Sequence, residues 1–272
     1  VQMVGRPELE VVGIDNLLSY CDSFQDLDTS TVEAIIGKNA VLAADRFFPQ
    51  VDCPRECDFC VSAGRGSGFR NIGYSIKLIE YYRKLGANAL IPTEDQVLLS
   101  ALNPKTREGL LSTLEVAKEN GINFFFGNGL EPWAFYQIIE KSRQGPQTER
   151  RFYQKLLDAI METTSYFYLP YENVFGFSAT PGLSGLRKLD AGANALITVL
   201  SYINDRAKEK GKVIEAATNI ILTIDATEEQ AKEYYSVMDG IAFQFPYLDI
   251  RYNTFFMVPS NCAPHIARLR RD

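Results

Sequence analysis

The sequence predicts an α/β fold on a mostly parallel sheet, and three features predict it. Short apolar segments alternate with longer segments of helical period six times between residues 40 and 260. The short segments, such as Ala89-Leu90-Ile91-Pro92, are continuously apolar, as strands buried on both faces are. Several helical segments stop at a glycine: Gly86, Gly121 and Gly211. A strand followed by a helix brings the chain back to the same sheet edge, so successive strands lie parallel. This periodicity fits both a six-stranded partial barrel and a doubly wound open sheet.

Residues 1–40 read as an N-terminal lead-in or linker, and residues 41–272 as the core domain. In the lead-in, Thr29 or Ser30 caps a short helix through Ile36, with Glu33 in its first turn and Gly37 as the stop. Cys21, in the same stretch, reads as a buried thiol. The run Ala40-Val41-Leu42-Ala43-Ala44 is the first core strand, and the extended segment ends near Phe48. Gly64-Arg65-Gly66-Ser67-Gly68 is too glycine-rich for a helix. It lacks the Gly-Lys-Ser/Thr of a P-loop, so it reads as backbone that approaches a ligand closely. A helix over residues 74–85 carries Ile76, Ile79 and Tyr81 or Tyr82 at helical spacing. The second strand is Ala89 to Pro92.

Residues 104–120 follow as a helix with Leu110, Leu111, Leu114 and Ala117 on one face, then a third strand from Ile122 to Phe126. Pro132 opens a helix through Lys141, residues 142–147 break it, and another runs from Glu149 to Met161. Tyr166 to Leu169 is the fourth strand. A Gly, Ser and Pro-rich loop over residues 176–185 leads into a helical region ending at Gly211. The fifth strand lies within residues 214–224. Thr227 caps a helix through Val237, and Tyr252 to Val258 is the sixth strand.

With 272 residues and 46% hydrophobic content the chain can bury one large α/β core. A net charge of −6 argues against general affinity for nucleic-acid backbones. Five cysteines, three of them clustered, do not form a disulfide framework and suit a reducing compartment. The first residues contain Arg6, Pro7 and Glu8 where a signal peptide needs an apolar core, and no apolar run reaches the ~20 residues of a membrane span. The expectation is a cytoplasmic protein with no membrane contact. A start at Val1 rather than methionine suggests an excerpt or a processed chain.

The chemistry centres on Cys53-Pro54-Arg55-Glu56-Cys57-Asp58-Phe59-Cys60, after the first core strand. Thiolates are soft ligands for zinc or iron-sulfur clusters, and three from one tight loop can hold three corners of a cluster. A zinc knuckle or ferredoxin-type cluster needs a fourth ligand at a recognisable spacing. The remaining candidates, Cys21, Cys262 and the single histidine His265, are distant in sequence.

The C-x3-C-x2-C spacing, with aromatic Phe59 before the last cysteine, resembles the signature of the radical S-adenosylmethionine (radical SAM) superfamily. The resemblance implies a partial (β/α)6 TIM barrel, with the cysteine loop at the C-terminal end of its first core strand. It also implies that Cys53, Cys57 and Cys60 are metal-binding ligands of a 4Fe-4S cluster whose fourth iron is chelated by SAM. One electron then cleaves SAM to methionine and a 5'-deoxyadenosyl radical, which abstracts a substrate hydrogen. An external electron donor such as flavodoxin or ferredoxin is implied, together with a small-molecule or peptide substrate.

Carried over residue by residue, the resemblance sets Thr93, Glu94 and Asp95 where the family binds the amino group of SAM, although the family often has two glycines there. Carboxylates and backbone carbonyls are the acceptors an ammonium group needs. Helix capping by Thr93 or Asp95 is the competing reading. Glu172, in Leu169-Pro170-Tyr171-Glu172-Asn173, looks similar to a glutamate that accepts from both ribose hydroxyls, against a solvated loop glutamate. Arg187 or Lys188 would pair with the SAM carboxylate. Thr223 and Ile224 end the strand lying against the adenine, and Thr227-Glu228-Glu229 opens the next helix.

Asn128, Glu131 and Trp133 after the third strand, and Ser260, Asn261, Cys262 and His265 after the sixth, would face substrate. A buried Cys262 and a surface His265 are the simpler readings, and Arg268 to Arg271 read as a solvated terminus. The segments Pro92 to Asp95 with Leu102-Asn103-Pro104, Asn128 to Pro132 and Leu169 to Glu172 look most like the cobalamin-dependent branch, which performs methyl transfers and rearrangements. Residues 1–40 then read as the linker that would follow a cobalamin-binding domain. Two alternatives belong to other classes: a non-catalytic iron-sulfur or zinc protein for electron transfer or scaffolding, and an RNA-modifying member of the superfamily, which the acidic charge disfavours.

Overall fold

The computed structural model describes residues 2–3, 41–48, 71–94, 97–127, 129–172, 189–223 and 228–257. Among the described residues seven strands form one sheet, all described pairs parallel: β1 (Gln2–Met3), β2 (Val41–Asp45), β3 (Ala89–Pro92), β4 (Asn123–Phe125), β5 (Thr164–Glu172), β6 (Ile214–Thr223) and β7 (Leu248–Met257). Their spatial order is their order in the chain. Between them run α1 (Ile72–Lys84), α2 (Leu99–Leu102), α3 (Arg107–Glu119), α4 (Pro132–Arg143), α5 (Gln147–Thr163), α6 (Leu189–Glu209) and α7 (Glu228–Gln244).

This order decides between the two α/β architectures. A doubly wound sheet reverses its strand order at a switch point and carries helices on both faces. Here each strand is added on the same side of the last, so right-handed crossovers put every helix on one face and curl the sheet. β1 and β7 are the two edges, so the curl is that of an open, partial barrel. The two-residue β1, paired Gln2 with Val41 and Met3 with Leu42, adds a strand to the six expected.

Alternate strand residues face the helical layer: Ala43, Leu90, Phe124, Phe167, Leu169, Ile214 and Ala216 join the main core cluster. The helices meet them with stripes at helical spacing. On α1 the buried positions are Ser75, Leu78, Ile79 and Tyr82, so Leu78 lies in the stripe and Ile76 at its half-buried margin. Asn71 caps this helix by accepting from Gly73 N at 2.7 Å, and Gly86 leaves it at φ +89°.

Differences from the expected boundaries have local causes. α3 starts at Arg107 because Asn103 Oδ1 closes a turn onto Lys105 N at 3.0 Å and the Thr106 hydroxyl donates to Ser100 O at 2.8 Å. The preceding short helix α2 was not expected. β7 starts at Leu248 rather than Tyr252 because its first half alternates: Leu248 is buried, Asp249 and Arg251 are exposed, and Arg251 pairs with Glu215 on β6 at 3.3 Å. α7 continues past Val237 to Gln244 because Met238 and Ile241 are still core residues. The lead-in helix over residues 29–36, the glycine segment over 64–68, and Thr227 lie outside the described residues.

Candidate functional site

In a parallel sheet every strand ends on the same edge, and in β/α barrels that edge carries the chemistry. Here the edge is built from the ends of β2 to β7. β2 pairs with β3 up to Asp45 opposite Pro92, and the ladder continues one step as Thr93 N donates to Asp45 O at 3.0 Å. The Asp45 carboxylate turns toward the helices, accepting from the Tyr82 hydroxyl at 3.1 Å and from Arg46 N at 2.7 Å.

Past the strand, Phe47 and Phe48 dive into an aromatic nest. Phe48 stands 5.0 Å from Phe124 and 5.8 Å from Phe126 between ring centroids, and Phe47 stands 5.8 Å from Tyr82. Both phenylalanines are fully buried, each burial stabilising the fold by about 1.5–3 kcal/mol. Phe48 N donates to Glu94 Oε1 at 2.6 Å, across 46 residues of sequence. Thus the segment that leads into the cysteine loop is held by the end of β3.

After β4 the chain makes two tight reversals, Gly127 N to Phe125 O at 3.1 Å and Gly129 N to Phe126 O at 2.9 Å. Leu130 N then donates to Tyr168 O at 2.7 Å, tying this loop to β5. Glu131 sits at the N-cap of α4 without a side-chain cap bond, Pro132 opens the helix, and Trp133 packs half-buried against the core. On the concave face Phe125 stacks on Tyr166 at 6.3 Å and 13°.

Of the sequence-predicted site residues, Thr93 and Glu94 lie together at the end of β3, Thr93 half-buried and Glu94 2% exposed. Neither caps α2, whose N-cap is Leu98. Glu172 ends β5 opposite Ile220, and Thr223 ends β6 opposite Met257, so both backbone positions reach the same edge. Glu131 and Trp133 lie at the β4 end of that edge. Cys53, Cys57, Phe59, Cys60, Asp95, Asn128, Arg187, Lys188, Ile224, Ser260, Asn261, Cys262 and His265 lie outside the described residues, as does Cys21. Among the described residues no group of three His, Cys, Asp or Glu side chains could hold a metal ion. No described helix is long and apolar enough to cross a membrane.

Three residues shape the edge in ways that the sequence alone does not reveal. Asp45 is the last residue of its strand, and its carboxylate serves the helix layer. Tyr82 is marked by the sequence only for its helix face, whereas its hydroxyl donates to Asp45 Oδ2 at 3.1 Å. Gly129 follows Asn128 in an Asn-Gly pair, a turn signal that marks where the backbone must approach β5.

The described residues define an open, singly wound parallel β/α partial barrel whose strands end at one common edge. No protein-family profile matches the chain, and no curated protein matches it. Among solved structures the chain is similar to the radical S-adenosylmethionine methyltransferase TsrM from Kitasatospora setae, determined with cobalamin and a 4Fe-4S cluster bound. The identity is 12% and the TM-score 0.49, over 84% of this chain and 38% of that one. The chain therefore spans about two fifths of that protein's length.

Proposed function

We propose that the chain is the core of a radical SAM enzyme, in which Cys53, Cys57 and Cys60 hold a 4Fe-4S cluster and SAM occupies the C-terminal edge of the partial barrel. The observation that carries the reading is a conjunction: a C-x3-C-x2-C segment with an aromatic before its last cysteine begins five residues after Phe48, and the chain leaves β2 after Asp45 at the edge where such barrels keep their chemistry. The donor set fits the group, since three soft thiolates within one loop suit an iron-sulfur cluster with one open iron.

When bound, the cluster and SAM supply a reductively generated 5'-deoxyadenosyl radical. The chain's own residues bind and orient. Thr93 and Asp95 would offer carbonyl and carboxylate acceptors to the amino group, and Phe59 would accompany the cluster ligands. Glu172 would accept from the ribose hydroxyls, Arg187 would pair with the SAM carboxylate, and Thr223 and Ile224 would hold the adenine. The electron comes from flavodoxin, ferredoxin or a chemical reductant. The substrate is a small molecule or a peptide, and methyl transfer or rearrangement with cobalamin is the reaction class that the loop segments suggest.

Anaerobic reconstitution tests this. The expected result is a cluster whose spectrum changes on adding SAM, with reductive formation of 5'-deoxyadenosine. A fully reconstituted protein that leaves SAM uncleaved under strong reductant and shows no SAM-dependent spectral change sinks the enzyme reading in favour of an electron-transfer or scaffolding role.

A further inference from the structure

We infer that Glu94 is a positioning residue for the cysteine loop: its buried carboxylate fixes the backbone of Phe48 and so sets the direction in which the chain leaves for Cys53. This rests on the proposed radical SAM reading, but it gives Glu94 a role inside the fold instead of one on the cofactor.

The argument starts at the end of β2. The strand stops at Asp45, so the Phe48 amide has left the sheet ladder and needs an acceptor of its own. Glu94 Oε1 supplies it, accepting from Phe48 N at 2.6 Å. At 2% exposure the Glu94 carboxyl is buried, where a polar group is tolerated when a donor meets it, as Phe48 N does here. The Phe48 ring is already held between Phe124 and Phe126. Ring packing alone leaves the peptide plane free to pivot about the Cα–Cβ bond. Thr93 N on Asp45 O holds the chain three residues earlier, and the carboxylate bond removes the remaining freedom. Three thiolates on one cluster need an origin fixed to a fraction of an ångström, which is the task of a supporting shell.

The test compares the wild-type chain with Glu94→Gln, Glu94→Asp and Glu94→Ala in two states. In the apo chain, hydrogen exchange at the Phe48 amide should quicken about tenfold or more in Glu94→Ala, and less in Glu94→Gln, which keeps an oxygen acceptor. After reconstitution, Glu94→Ala should load less cluster and show an altered reduced-cluster resonance spectrum. Glu94→Gln should rescue loading and keep the SAM-induced spectral change. If Glu94→Ala does not fold, Glu94→Asp, with its carboxylate drawn back by one methylene, should show the same losses.

Wild-type exchange at Phe48 or normal cluster loading in folded Glu94→Ala or Glu94→Asp overturns the inference. So does a Glu94→Gln protein that loads fully but no longer responds to SAM, because that makes Glu94 a ligand of the ammonium group. A loaded wild type that ignores SAM defeats the radical reading instead, and the exchange arm still decides whether Glu94 holds Phe48.

Discussion

Gly129 lies against the ring of Pro170: a Cβ on Gly129 would stand 2.4 Å from Pro170 Cδ and 2.7 Å from its Cγ. It would also meet Tyr168 Cδ1 at 2.9 Å, and the residue sits at φ +83°. Gly129→Ala therefore combines left-handed backbone strain with overpacking against a strand, and should destabilise the fold by about 2–5 kcal/mol in chemical denaturation. Gly86→Ala is the control, since at φ +89° a Cβ meets nothing within 4 Å. It should cost only the left-handed backbone penalty of about 1–2 kcal/mol. Equal costs at the two sites would show that the approach to Pro170 does not constrain the loop after β4.

Burial pushes the Tyr202 hydroxyl up to about 12, although the nearby Arg206 charge pulls the other way. The ring packs edge-on to Phe135 at 6.4 Å, which explains the loss of hydration. A phenol harder to ionise when folded stabilises the native state fully below pH 10 and loses that contribution as pH rises toward 12. Stability measured across this window should fall more steeply for the wild type than for Tyr202→Phe. Parallel slopes would mean that Tyr202 ionises alike in both states.

Much of the fold was legible because the buried segments carry unambiguous patterns. Ala89 to Pro92 is apolar throughout and is found as β3. Leu110, Leu111, Leu114 and Ala117 are all buried on α3. The first half of β7 escaped notice because Asp249 and Arg251 project from an open concave face, and a short alternating run with two charges resembles a loop. The two residues of β1 are too few to carry any period. At the site, residue types pointed to chemistry but not to orientation. Glu94 reads from the sequence as an acceptor at the strand end, and only the 46-residue contact to Phe48 shows that one of its oxygens faces inward. Strand order was likewise not legible, because it depends on which strands pair and not on how any one of them is patterned.

Lys118 on α3 and Glu162 on α5 approach to 2.5 Å. The hydrogen bond from Lys118 is the chief cause holding the Glu162 carboxyl below its ordinary value of 4.5, and the same bond raises Lys118 above 10.5. The lowered carboxyl contributes stability above pH 4.5, lost as pH falls through its folded value. The raised ammonium contributes below pH 10.5, lost as pH rises through its own. Glu162→Gln should accordingly have a flatter acid limb than the wild type. The pair is largely exposed, so the difference should be small and should shrink in about 1 M salt, where screening acts within ~3 Å. A difference insensitive to salt would point to packing.

The five cysteines separate into two groups under the radical SAM proposal. Cys53, Cys57 and Cys60 fall within eight residues of sequence. Removing any one leaves two thiolates, too few to hold three irons of a cluster. Cys53→Ala, Cys57→Ala and Cys60→Ala should each lose the visible absorbance of the reconstituted cluster and all SAM cleavage while keeping the far-ultraviolet dichroism of the folded sheet and helices. Cys21→Ala and Cys262→Ala should load iron and sulfide as the wild type does. If Cys262→Ala or Cys21→Ala instead abolishes the cluster, that thiol supplies a fourth ligand. The iron then has no open corner for SAM, and the chain becomes an electron carrier.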